Sequence, residues 1–147
     1  MNLYIQQKAR QEKEIKTFFH KNVFFATDEQ QYKDGLKKLG LKESGDELKI
    51  ISIGAGKYLL TDKKGEYNDL FNRIAEERKA AIEDDETGAQ FAYDMFYYEL
   101  NNHEYSYTGR TEDAISALGL SYGEIRENPR LKEALDKACK DVMADAV

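Results

Sequence analysis

The sequence has little cysteine and proline and no tryptophan: it holds one cysteine, Cys139, and one proline, Pro129, among 147 residues. A lone cysteine excludes a disulfide-stabilised scaffold, and a single proline excludes a proline-rich linker protein. Long apolar runs are also missing. No segment approaches the roughly 20 apolar residues of a membrane-spanning helix, and the polar stretch 1–14 lacks the apolar centre of a signal peptide. We therefore expect a soluble cytoplasmic protein with no membrane partner.

Positive charge is also scarce, with 22 Lys and Arg residues against 28 Asp and Glu residues and a net charge of −6. This balance argues against direct nucleic-acid binding, which depends on basic surface. The charge is unevenly distributed. Segment 1–61 carries 11 basic against 8 acidic residues, whereas segment 62–147 carries 11 against 20. Such an acidic C-terminal half favours electrostatic attraction to a basic partner.

Aromatic residues, by contrast, are plentiful, since 10 residues are Tyr and 7 are Phe, and this richness excludes a disordered chain. The length predicts a single domain over 1–147, in which an α-β-α-β-β part (1–61) precedes an acidic helical part (62–147). Helical periodicity predicts a first helix over 2–20, and we expect its polar first two turns to project or fray.

Short β-branched and aromatic runs predict three strands, over 23–26, 48–53 and 57–61. The run Gly54-Ala55-Gly56 between the last two predicts a hairpin turn, because a dinucleotide-binding loop would need a third glycine and a following helix. The expected fold class is α+β, with one small mixed or antiparallel sheet of about three strands, packed by helices, and a helical C-terminal half.

Three further patterns concern helix ends. Thr27 followed by Gln30 has the form of a capping box, which predicts that the second helix begins there. The acidic run 83–86 is expected to be a solvated helix cap.

Segment 114–125 resembles the turn of a DNA-binding helix-turn-helix, but its second helix offers Arg126 alone as a basic residue. We therefore favour a packed corner between two helices.

The most unusual segment is 91–110, in which five tyrosines alternate with polar and charged residues. It is interpreted either as a central helix whose tyrosine hydroxyls have internal partners, or as a recognition surface, because Tyr and Arg are enriched in interface hot spots. The central helix needs fewer assumptions, and the surface stays open as the alternative. The candidate partner- or ligand-binding residues are Tyr97, Glu99, Asn102, His103, Tyr105, Tyr107 and Arg110.

Catalytic and metal-binding patterns are weak. Glu99 and His103 are four residues apart, a spacing that can hold a metal ion, but one pair is not a site because zinc takes three or four protein ligands. The other histidine, His20, and Cys139 complete no ligand set, and nothing in the sequence places a base beside Cys139. We therefore predict no metal, no cofactor and no catalytic residue.

Four distinct segments have a familiar sequence: 24–32 (with Gly35), 53–56, 85–88, and 93–105 with 107–109, the last followed by 112–114. In these segments the chain resembles a family of small uncharacterised proteins encoded by phages, prophages and conjugative elements of Firmicutes. The tyrosine-rich segment is the most specific part of the resemblance. The resemblance implies an accessory protein of a mobile element in a bacterial cytoplasm, and it brings no catalytic residues with it.

Three hypotheses follow. The first is a non-enzymatic protein that binds a macromolecular partner, with an inhibitor of a host-defence nuclease, of anti-CRISPR or anti-restriction type, as its most specific form. The alternative is a small-molecule or nucleotide-binding protein, or an enzyme, with a site around Glu99 and His103. A homo-oligomer paired through its first helix is the third.

Overall fold

The computed structural model describes residues 1–146, and among these residues eight α-helices accompany one three-stranded sheet. The helices are α1 (Leu3–Asn22), α2 (Glu29–Lys38), α3 (Lys64–Glu83), α4 (Gly88–Asn102), α5 (Tyr105–Thr108), α6 (Glu112–Ala117), α7 (Tyr122–Glu127) and α8 (Pro129–Asp145). The strands are β1 (Val23–Phe25), β2 (Ile50–Gly54) and β3 (Lys57–Leu60). The predicted α+β class is confirmed, and the sheet is antiparallel. None of the described helices is long and apolar enough to span a membrane.

The described chain divides into two compact units. We call residues 10–75 the sheet unit, and residues 1–9 together with 76–146 the helical unit. Their limits fall inside α1 and α3, away from the predicted division between residues 61 and 62. The sheet unit carries 13 Lys and Arg against 11 Asp and Glu residues, and the helical unit carries 9 against 17. The excess negative charge therefore belongs to the helical unit, whose net charge is −8.

In the sheet unit the strand order is β1-β3-β2, with Val23 paired to Leu59 and Ile51 paired to the same residue from the other side. Gly54-Ala55-Gly56 joins β2 to β3 with three successive positive φ angles, of 89°, 51° and 75°. Two glycines make this turn possible because they adopt positive φ without steric cost. The predicted hairpin is therefore confirmed.

Helix α2 packs on the sheet through Leu36, which is buried together with Phe24 of β1 and Ile50 of β2. A Cβ atom on Gly35 would lie 2.0 Å from the Phe24 ring, so this close approach requires glycine. The helix begins one residue later than predicted. Asp28 is the N-cap and accepts a hydrogen bond of 2.8 Å from the backbone N–H of Gln31, whose side chain in turn accepts from Thr27. Asp28 therefore replaces Thr27 as the capping residue.

In the helical unit, α4 is the central element, as its aromatic composition predicts. Its inner face is fully buried against residues of α6, α7 and α8. The buried side chains of α4 include Phe91, Met95, Phe96 and Leu100. Because this face is core, most aromatic residues in the first half of segment 91–110 serve packing.

The first turns of α1 are docked rather than projecting or frayed. The backbone N–H of Leu3 donates a hydrogen bond of 2.7 Å to Oδ2 of buried Asp94, and the Asn2 side chain donates to the Asp94 carbonyl. Tyr4 is buried against Phe91 and Tyr98. The prediction of a frayed start was wrong because Asp94 on α4 satisfies an N–H group that helix geometry leaves unpaired.

A tight corner joins α3 to α4. The Arg130 guanidinium donates to the carbonyls of Ile82 and Asp84, at 2.7 and 2.9 Å. A Cβ atom on Gly88 would lie 2.3 Å from the Ile82 carbonyl oxygen, so glycine is needed there. Hydrogen bonds from the backbone N–H groups of Thr87 and Glu86 lower the pKa of Asp84. The acidic run thus contains a structural turn as well as solvated charge.

Candidate functional site

Helix α4 holds three of the predicted site residues, Tyr97, Glu99 and Asn102, and the first two have different surroundings. The Tyr97 hydroxyl donates a hydrogen bond of 2.6 Å to Oδ2 of Asp145 on α8, and this bond raises the pKa of Tyr97. The Glu99 side chain is buried, with only 3% of the residue exposed. It is paired with Lys8 of α1, whose Nζ lies 3.8 Å from Oε1 of Glu99. Tyr97 therefore joins two helices, and Glu99 belongs to the interior.

The Glu99 and His103 side chains have different neighbours. His103 is the C-cap of α4, and its Nδ1 lies 2.9 Å from the backbone carbonyl oxygen of Glu99. The Glu99 carboxylate faces Lys8 instead. A surface groove of about 720 Å³ lies in the sheet unit, between α1 and α3 around Phe18 and Leu70. Among residues 1–146 no group of three or more His, Cys, Asp or Glu side chains is arranged to hold a metal ion.

Tyr105 is half-buried and contacts α8. Interaction of its hydroxyl with the Cys139 side chain, together with burial, raises the pKa of Tyr105. Burial also raises the pKa of the Cys139 thiol above its usual range. A thiol with a raised pKa is protonated at neutral pH, which makes it a weak nucleophile. The pair therefore has the character of a packing contact.

Residues 107–110, which follow Tyr105 and Ser106, are exposed to solvent. Tyr107 is 89% exposed and lies on α5, which is preceded by Glu104 (φ 58°) and followed by Gly109 (φ 67°), both left-handed. These two residues separate the four-residue helix from α4 and α6. The Arg110 side chain is 75% exposed, and its Nε lies 3.4 Å from Oε2 of Glu112. Asn102, at the end of α4, is also exposed.

Tyr122 extends this exposed region and was missed by the sequence prediction. It is 44% exposed, and its hydroxyl lies 2.6 Å from Oγ1 of Thr111, which places α7 beside the residue that follows Arg110. The available signal was the capping box of Ser121 and Glu124, which marks the start of α7 directly before Tyr122. We call Tyr107, Arg110, Glu112 and Tyr122 the tyrosine surface.

The tyrosine surface lies in acidic surroundings. Between residues 104 and 127 there are five acidic residues and two arginines, Arg110 and Arg126. The acidic residues are all exposed, and they are Glu104, Glu112, Asp113, Glu124 and Glu127. Helices α6 and α7 are joined by a turn that contains Gly119 at φ 68°, and their exposed charge is predominantly negative. Such a surface repels a phosphate backbone and attracts basic groups.

Comparison with known proteins finds a match to a model of a protein family. Residues 3–141 match the model of DUF7659, which is described as a family of unknown function. No curated protein matches the chain, and no solved structure matches it. The match covers all the elements described above apart from the last residues of α8.

Proposed function

This chain belongs to the DUF7659 family of unknown function, and we propose that it is a non-enzymatic protein that binds a basic protein partner through its tyrosine surface. The observation that carries the proposal is Tyr107, an aromatic side chain that is 89% exposed on an ordered helix bounded by two left-handed residues. A large exposed aromatic group beside an arginine is typical of interface hot spots. Tyr122 supplies a second aromatic group to the same region.

Charge supports the choice of partner. The helical unit has a net charge of −8, and the exposed side chains around Tyr107 and Tyr122 are mostly acidic. Complementary charge accelerates association and disfavours partners of the same sign. A protein with a basic groove, such as one that binds nucleic acid, fits this surface better than nucleic acid itself does.

The more specific form of the proposal rests on the resemblance to proteins of phages and other mobile elements. In that form the protein acts in a bacterial cytoplasm and inhibits a host-defence nuclease by covering its basic groove. The alternative, a small-molecule site or enzyme around Glu99 and His103, receives less support as a joint site, because the Glu99 carboxylate faces Lys8 while the His103 ring contacts a backbone carbonyl.

A pull-down with matched variants tests the proposal. The wild type, Tyr107→Ala with Tyr122→Ala, and Phe25→Ala are used as baits in nuclease-treated lysate of a Firmicute host. Phe25 is the control because it is 62% exposed but belongs to the sheet unit. We expect a basic protein to be retained by the wild type and by Phe25→Ala, to be lost with the double variant, and to bind less at high salt.

A captured nuclease is then purified and assayed with added wild-type protein. Inhibition that reaches completion near equimolar ratio supports the inhibitor form, and an unaffected nuclease contradicts it. Equal capture by all three baits contradicts the tyrosine surface as the binding site.

A further inference from the structure

The Lys8 ammonium group lies among three side chains that together have the character of a cation-binding site. Nζ of Lys8 is 5.0 Å from the centre of the Tyr98 ring, 5.8 Å from that of Tyr4 and 3.8 Å from Oε1 of Glu99. Two aromatic rings and one carboxylate around an ammonium group form the arrangement by which proteins recognise alkylammonium ligands. All four residues belong to the helical unit.

The Glu99 carboxylate is the unusual member of this set. It is almost fully buried, and its Oε1 has no hydrogen-bond partner within the described structure. The 3.8 Å separation from Lys8 is an ion-pair distance and is too long for a hydrogen bond. Burying a carboxylate is costly unless a cation accompanies it, so this position requires a positive charge but holds Lys8 loosely.

Lys8 also differs from the other cations near these rings. Arg78 approaches Tyr4 as well, at 5.9 Å, but its Nη1 is committed to the carbonyl of Leu118 at 3.0 Å. The Lys8 side chain is 38% exposed. It enters from solvent and can return to it without breaking a hydrogen bond to a backbone carbonyl.

We infer that Tyr4, Tyr98 and Glu99 form a binding site for an alkylammonium group, which the chain fills with its own Lys8. The ligand class is a primary or methylated ammonium on an alkyl chain, the chemistry of a lysine side chain. Lys8 is an internal competitor, so a ligand binds only when Lys8 moves out into solvent. The inference does not depend on the tyrosine surface, which is formed by other residues.

The test uses Lys8→Ala and n-butylammonium chloride, which reproduces the end of a lysine side chain. We expect Lys8→Ala to unfold at a lower temperature than the wild type, because its buried carboxylate lacks a cation. Added n-butylammonium is expected to raise this temperature saturably, and to shift the NMR signals of the Tyr98 ring. Its affinity for the wild type is expected to be at least about tenfold weaker, because Lys8 competes.

In the double variant Lys8→Ala with Glu99→Gln, n-butylammonium is expected no longer to raise the unfolding temperature, because the carboxylate is removed. Lys137→Ala is the matched control: Lys137 lies 4.7 Å from the centre of the Tyr93 ring, so it is another lysine on an aromatic face. The unfolding temperature of Lys137→Ala is expected not to rise with n-butylammonium. Sodium chloride at equal ionic strength corrects for screening.

Three results would overturn the inference: no saturable response of Lys8→Ala, an equal response of the double variant, or equal affinity for the wild type. If Lys8→Ala does not fold, Lys8→Ser replaces it. Failure of both to fold even with n-butylammonium present also overturns it, since the ligand should then substitute for the lysine.

Discussion

The Tyr93 hydroxyl donates a hydrogen bond of 2.6 Å to Oδ2 of Asp141, across 48 residues of sequence. This bond joins α4 to α8, and Tyr97 repeats it one turn later with Asp145. Burial and the bond to Asp141 both raise the pKa of Tyr93. Two parallel tyrosine–aspartate bonds therefore hold the longest pair of helices in the helical unit together.

Tyr93→Phe should lower the free energy of unfolding by about 1–3 kcal/mol at neutral pH, because Asp141 loses its donor and the ring remains. Urea denaturation followed by circular dichroism measures the difference. Tyr107→Phe is the control and should stay within about 0.5 kcal/mol of the wild type, since Tyr107 is exposed.

The raised pKa of Tyr93 also predicts that the protein loses stability at alkaline pH. Because the pKa of Tyr93 is raised in the folded state, the unfolded chain loses this proton first. The contribution of Tyr93 is thus fully present below about pH 10, the unfolded value, and decreases as the pH rises towards the folded value. Denaturation at a series of pH values from about 8 to 11 should show a steeper decline for the wild type than for Tyr93→Phe. Parallel curves would contradict the assignment.

Gly88→Ala should lower the free energy of unfolding by about 1–3 kcal/mol or more, because its Cβ would meet the Ile82 carbonyl oxygen at 2.3 Å. Gly123→Ala in α7 is the control, since its Cβ would meet nothing closer than 3.8 Å. Alanine has the higher helix propensity, so this control should equal or exceed the wild type in stability. Equal stability of the two variants would show that the α3–α4 corner can relax.

Arg130→Met should also destabilise the α3–α4 corner, by about 1–3 kcal/mol, because the carbonyls of Ile82 and Asp84 lose a donor. Hydrogen exchange should rise first at the Gly88 amide, which donates to the Asp84 carbonyl. Arg110→Met, at an exposed arginine, should leave both stability and exchange unchanged.

Alanine substitutions at Tyr105 and Tyr107 should differ in their effect on the thermal unfolding temperature. Tyr107→Ala should change the thermal unfolding temperature by little, because the side chain is 89% exposed. Tyr105→Ala should lower it clearly, since this ring is half-buried and packs against the core of the helical unit. Equal losses for both would mean that α5 is part of the core, and the tyrosine surface would then lose its basis.

Local patterns were enough to predict the α+β class, the hairpin at Gly54-Ala55-Gly56 and the central place of α4. Each depends on near neighbours in the chain: alternation of side chains in a strand, positive φ at glycine, and apolar residues around a helix. These preferences act over a few residues, so they are visible in the sequence.

Other outcomes depend on groups that lie far apart in the chain. The docking of α1 depends on Asp94, which is 91 residues from Leu3, and the cation beside Glu99 comes from Lys8. The exposure of Tyr107 and the burial of Tyr105, two residues earlier, follow from the position of α8. A polar side chain forms a hydrogen bond with whichever group the packed helices bring within about 3 Å. The position of that side chain in the sequence does not specify this partner.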